Sequence, residues 1–146
     1  MRVETFLKQG RLLDKRINYD LKKLAELRDA ACSISAPTIG RSKVQTSATG
    51  DAPFVKALMR VEELQGQINR EIDMLADLKE QINDVIRQAG SDELQMVLVY
   101  RYLEGYTWEE IGDLLNVDRS TAKRWHEKAI SQVTLPEEPI VARTRQ

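Results

Sequence analysis

The residues of this chain best suited to chemistry lie between 119 and 132. Arg119, Ser120, Lys123, Arg124, Glu127 and Lys128 share one side of a helical projection. Ala122, Trp125, Ala129, Ile130 and Val133 share the other, at three-to-four spacing. An arginine can hold a guanine edge through two parallel hydrogen bonds, and lysine or threonine can hold phosphate oxygens. A helix with one packing face and such cations in its first turns suits insertion into the major groove of DNA. The same pattern also fits an ordinary amphipathic surface helix with a solvated charged face. The residues before it decide between the two.

Those residues are Thr107-Trp108-Glu109-Glu110-Ile111-Gly112-Asp113-Leu114-Leu115-Asn116-Val117. Thr107 followed three residues later by Glu110 is a capping box that starts a helix. Ile111, Leu114 and Leu115 give that helix an apolar face. Gly112 is small where two helices cross, Asn116 can take the left-handed conformation of a tight turn, and Val117 plugs it. Asp118 then caps the next helix. A cap, a turn and a plug leading into a cationic helix make a helix-turn-helix the preferred reading.

Catalysis is not expected. There is no glycine-rich phosphate loop and no nucleophile paired with a base. Ser120 and His126 lie six residues apart on one helix and point to different faces. With one cysteine, Cys32, and one histidine, no metal-ligand spacing exists, and no cofactor is expected. His126 has two readings, a proton-sensitive DNA contact or a half-buried residue packing beside Trp125, and the second is favoured.

The elements that must position this motif are all helical. Residues 1–31 read as a basic amphipathic helix, with Phe6, Leu13, Ile17, Leu21, Leu24 and Leu27 at helical spacing. Residues 32–53, rich in Ser, Thr, Ala, Pro and Gly, read as a flexible linker. Residues 54–90 carry a heptad seam: Val61, Ile68, Leu75, Ile82 and Ala89 at steps of seven, with Leu64, Leu78 and Val85 as companions. Glu71 interrupts the companion row, and Ile72 and Ile86 widen the seam. After Gly90, with Ser91 and Asp92 as a fresh cap, residues 91–133 read as three short helices over about 92–104, 108–115 and 119–132. Residues 134–146 read as a disordered tail. The expected fold is therefore all-α, a long N-terminal helical hairpin or coiled-coil segment followed by a three-helix helix-turn-helix domain.

Composition agrees. Of 146 residues 31% are charged and only 5% aromatic, which suits long solvated helices. The net charge of −1 gives no general polyanion binder, so DNA binding must come from a local patch. No signal peptide and no membrane span is read from the sequence, and the expected location is the bacterial cytoplasm.

The run from Arg101 to Gly112 (Arg-Tyr-Leu-Glu-Gly-Tyr-Thr-Trp-Glu-Glu-Ile-Gly) and that from Val117 to Ile130 (Val-Asp-Arg-Ser-Thr-Ala-Lys-Arg-Trp-His-Glu-Lys-Ala-Ile) resemble region four of bacterial sigma factors. In layout the chain is closer to the ArpU-type phage regulators, which carry such a domain behind an N-terminal helical segment. The resemblance implies binding to double-stranded DNA, with Arg119, Ser120 and Arg124 facing bases. It places Thr107, Trp108, Thr121, Lys123 and Lys128 near the DNA backbone. It implies a sequence-specific transcriptional regulator of phage or prophage origin, since nothing resembles the promoter-melting region of a sigma factor. A homo-oligomer, preferably a dimer, would form through 1–31 and 54–89 and raise affinity by effective concentration. Two alternatives stay open: a small-terminase-like packaging factor, and a module docking on RNA polymerase or another protein with DNA contact secondary.

Overall fold

The computed structural model describes residues 1–35 and 48–142. Among them every regular element is helical and no strand occurs, as expected from the sequence. The order is α1 (Val3–Ser35), α2 (Ala48–Ile86), α3 (Asp92–Leu98) running into a π-helical segment (Val99–Glu104), α4 (Trp108–Leu115) and α5 (Arg119–Gln132). None of these helices is long and apolar enough to cross a membrane. Two compact units result, one of Met1–Lys15 with Asp73–Gln146, the other of Arg16–Ile72.

In the unit of Arg16–Ile72, α1 and α2 lie antiparallel. Asp20 faces Glu71, and Arg28 Nη2 donates to Gln65 Oε1 at 2.9 Å. Leu24, Leu64 and Ile68 form the core between them, flanked by Leu27 and Val61. On α1 the expected stripe needs one correction. Asp20, only 2% exposed, occupies the seam level between Leu13 and Leu27, and Leu21, one residue further round, is 43% exposed. The same rotation applies on α2, where Glu71 takes the seam position and Ile72 is 46% exposed. Both helices thus bring a carboxylate to the same level of an otherwise apolar seam.

The linker boundaries also shift. The helical pattern continues through Ala31, which is buried, to Ser35, and α2 already starts at Ala48. Residues 32–35 and 48–53 of the expected linker are therefore helical, Pro53 included. Residues 36–47, the rest of that linker, lie outside the described residues.

In the other unit, Ile82, Val85, Ile86 and Ala89 of the heptad run are buried, as are Phe6, Leu7 and Leu13 of α1. The tail differs from the free end read from the sequence. Three glutamine side chains each bind its backbone as donor and acceptor at once. Gln88 holds Thr134 (3.1 and 3.0 Å), Gln81 holds Glu138 and Ile140 (2.9 Å each), and Gln9 holds Ile140 and Ala142 (2.9 and 2.8 Å). A primary amide can satisfy an N–H and a C=O of an extended chain together, much as a neighbouring strand would. Polar, proline-bearing composition carries no trace of this. The last four residues, 143–146, lie outside the described set.

Candidate nucleic-acid interface

The segment 91–133 is built from caps inward. Ser91 Oγ accepts from the Leu94 amide at 3.3 Å and starts α3. The first helix then widens into the π segment, whose end is set by Gly105 at φ 74°. Gly105 and Tyr106 both return their amides to the Tyr100 carbonyl. The left-handed φ is what demands glycine at 105, since a Cβ there would meet the movable guanidinium end of Arg11 and no backbone.

Thr107 starts α4: its hydroxyl accepts from the Glu110 amide at 3.2 Å and lies 3.1 Å from Glu110 Oε1, to which it donates. The anticipated return bond from Glu110 to the Thr107 amide is replaced by this hydroxyl–carboxylate bond. The turn after α4 follows the sequence reading, with Asn116 left-handed at φ 57° and the Val117 amide bonded to the Gly112 carbonyl at 2.9 Å. Gly112 is small for a different reason from the one expected. A Cβ there would stand 2.6 Å from the Val117 carbonyl oxygen, so the crowding comes from the turn's own backbone. Asp118 holds the extended conformation of a cap, but its side chain makes no capping hydrogen bond. Its charge still favours the amide end of α5.

Val97, Ile111 and Ala122 form the domain core, with Tyr100, Tyr106, Trp108, Leu115, Val117 and Trp125 packed around them. Trp125 thus fills the space beside the small Ala122. Leu114, expected on the apolar face of α4, is 51% exposed. Its place in the core is taken by side chains from the turn and from α5.

On α5 the packed stripe is Ala122, His126, Ala129 and Val133, with Trp125 and Ile130 half-buried. Arg119, Ser120, Lys123, Arg124, Glu127 and Lys128 are all exposed. Arg124 Nη2 donates to Thr121 Oγ1 at 3.1 Å, which steadies the guanidinium over the first turn and leaves its other donors free for a base edge. Of the residues read as facing the DNA backbone, Lys123 and Lys128 are exposed and Thr121 is half-exposed. Thr107 is exposed but its hydroxyl serves the cap. Trp108 is half-buried, stacked under Arg101 at 4.4 Å and set edge-on against His126 at 5.0 Å.

His126 is not on the exposed face. It is 7% exposed, and its Nε2 lies 2.6 Å from the Tyr102 hydroxyl. Burial holds the imidazole pKa below its ordinary value, against the pull of Glu4 and Glu127. Burial, with Glu4, pushes the Tyr102 hydroxyl up to about 12. A neutral phenol and a neutral imidazole can share one hydrogen bond here, and this pair joins the π segment to α5. The sequence reading missed Tyr102 and Arg101. Arg101, a lone cation seven residues before Trp108, was the available signal: its Nη1 donates to the Tyr106 carbonyl at 3.0 Å.

Charge is sorted within the segment. Residues 91–133 hold eight carboxylates and five cations, yet four of those cations lie on α5 beside the single carboxylate of Glu127. The fifth is Arg101. An acidic domain therefore presents a cationic last helix.

The family model of sigma-70, region 4 matches residues 91–133. Over this segment the chain is similar to sigma-70 region 4, a family of DNA-binding domains of the helix-turn-helix type. No curated protein matches the chain, and no solved structure does.

Proposed function

We propose that this protein is a sequence-specific DNA-binding transcriptional regulator that inserts α5 into the major groove of double-stranded DNA. The observation that carries the reading is the division of α5: its inner stripe is spent on the domain core, and Arg119, Ser120, Lys123, Arg124 and Lys128 all remain exposed. Arg119, Ser120 and Arg124 are assigned to base edges, and Lys123, Lys128 and Thr121 to phosphates. Thr107 and Trp108 bring the start of α4 to the backbone. The layout, helical N-terminal segment before a region 4 domain, supports a phage regulator of the ArpU type acting in the bacterial cytoplasm. A homodimer contacting through the N-terminal helices raises the affinity of a domain with few cations. Because Leu64, Ile68, Ile82 and Val85 are already buried within one chain, that contact uses the exposed apolar residues of the same helices, such as Leu58 and Met59.

A second reading has its own observation. Leu114 stands exposed on α4 beside Asp113 and Glu110, an apolar residue among acids that suits docking on a basic face of RNA polymerase.

Selection of bound fragments from source-genome DNA, with wild-type protein and the Arg119→Ala/Arg124→Ala variant, tests the proposal. Enrichment of a few sites by the wild type and loss of that enrichment in the variant is expected. Equal enrichment by both proteins would remove α5 from the reading, and no enrichment beyond background by the wild type would favour polymerase docking.

A further inference from the structure

We propose that Lys8 and Arg11 of the N-terminal helix form, together with Arg101, a phosphate-binding groove that carries the DNA footprint beyond the region 4 domain. This rests on the DNA-binding reading above and adds a partner surface from outside residues 91–133. An open groove of about 240 Å³ is lined by Lys8, Arg11, Leu12, Arg101, Tyr102 and Gly105. Three of its six lining residues are cations and none is a carboxylate.

The two guanidinium groups are fixed by main-chain carbonyls. Arg11 Nη1 donates to the Glu104 carbonyl at 3.1 Å, and Arg101 Nη1 donates to the Tyr106 carbonyl at 3.0 Å while lying over the Trp108 ring. Neither neutralises its charge in these bonds, and each guanidinium has five N–H donors, so most remain for a ligand. Cations already held in place lose little side-chain freedom on binding.

Position selects the ligand. The groove ends at Gly105, two residues before the Thr107 cap of α4. The start of that supporting helix is where a helix-turn-helix meets the sugar-phosphate backbone, and amides there favour anions. The groove therefore lies next to the start of α4, with Arg101 over the Trp108 ring linking the two. Charge balance points the same way, because a domain with eight carboxylates and five cations gains from two more cations delivered by α1.

The test is salt-dependent binding of the full chain to a short duplex of arbitrary sequence and to a fragment recovered by the genomic selection. The proteins compared are wild type, Lys8→Gln/Arg11→Gln, Lys8→Glu and Arg119→Ala/Arg124→Ala. The slope of log affinity against log salt is expected to become shallower by about 1 for each phosphate contact removed, thus about 2 for the Lys8→Gln/Arg11→Gln protein. Affinity for the two duplexes should fall by the same factor, leaving their ratio unchanged. The Arg119→Ala/Arg124→Ala protein should lose the ratio. Lys8 is exposed, so the Lys8→Glu slope decides the matter even where loss of the Arg11–Glu104 bond lowers stability. Wild-type slopes in both α1 variants, with selectivity still lost in the α5 variant, would overturn the groove and leave the DNA-binding reading standing. Wild-type slopes combined with lost binding of poly-glutamate would overturn it in favour of an acidic protein partner. Absence of any salt-dependent duplex binding by the wild type would remove both readings.

Discussion

The Tyr102–His126 pair shows how one buried contact governs the domain that carries α5. The imidazole is held neutral by burial, so its pKa when folded lies below the ordinary 6.5 of an unfolded chain. Between those two values the unfolded chain binds a proton that the folded domain refuses, and stability must rise with pH there. The contribution is complete above about pH 6.5 and is lost as the pH falls toward the folded value. Both tryptophans of the chain, Trp108 and Trp125, lie in this domain, so their fluorescence follows its unfolding. The urea midpoint read this way should be flat above about pH 6.5 and decline below it, and His126→Gln should remove most of the decline. A midpoint that rises on acidification would contradict the buried neutral imidazole. That His126 is the contact to the π segment was only half legible. Its place beside Trp125 indicated packing, but its partner Tyr102 lies 24 residues away and no local spacing connects them.

At the scale of elements, the α1–α2 seam carries the opposite pH response. Burial, with the facing Asp20 carboxylate, holds the Glu71 carboxyl above its usual value, while the Gln67 amide at 2.9 Å partly offsets this. Asp20 itself is held by Arg16 Nε at 3.4 Å. A carboxyl whose folded value is raised contributes most below about 4.5 and loses that contribution as the pH rises through the folded value. Glu71→Gln keeps the shape and removes the like charge. It should raise stability near neutral pH by roughly 0.5–1 kcal/mol, the usual scale for a like-charge contact, and do little in acid. Circular dichroism at 222 nm, which weights the long helices, would follow this in urea. Loss of stability in the variant at neutral pH would mean that Glu71 serves a favourable bond instead. The heptads made this pairing partly visible. Glu71 is an acid in a run of Leu and Val, whereas Asp20 is masked by Leu21 beside it, which completes the apolar spacing. The π segment left no mark in the apolar spacing, and the glutamine clamps on the tail were not visible because they depend on groups far away in sequence. Gln9 and Ala142, for example, are 133 residues apart.

For the whole molecule, sorting of charge matters more than its sum. A chain of net charge −1 keeps four cations on one exposed helix face and three in one groove. The helix-turn-helix was legible because its instructions are local. Thr107 with Glu110, Asn116 with Val117, and the stripe on 119–132 each act within a few residues. The contribution of α1 to the groove was not, because Arg11 meets Glu104 only after the chain has folded back. Methylation interference on a fragment recovered by selection tests whether α5 reads base edges in the major groove. Dimethyl sulfate marks guanine N7 in the major groove and adenine N3 in the minor groove in one reaction. Interference is expected at guanine N7, with interference at one guanine relieved in Arg119→Ala or Arg124→Ala. Interference confined to adenine N3, or tight binding indifferent to every methylated guanine, would contradict it.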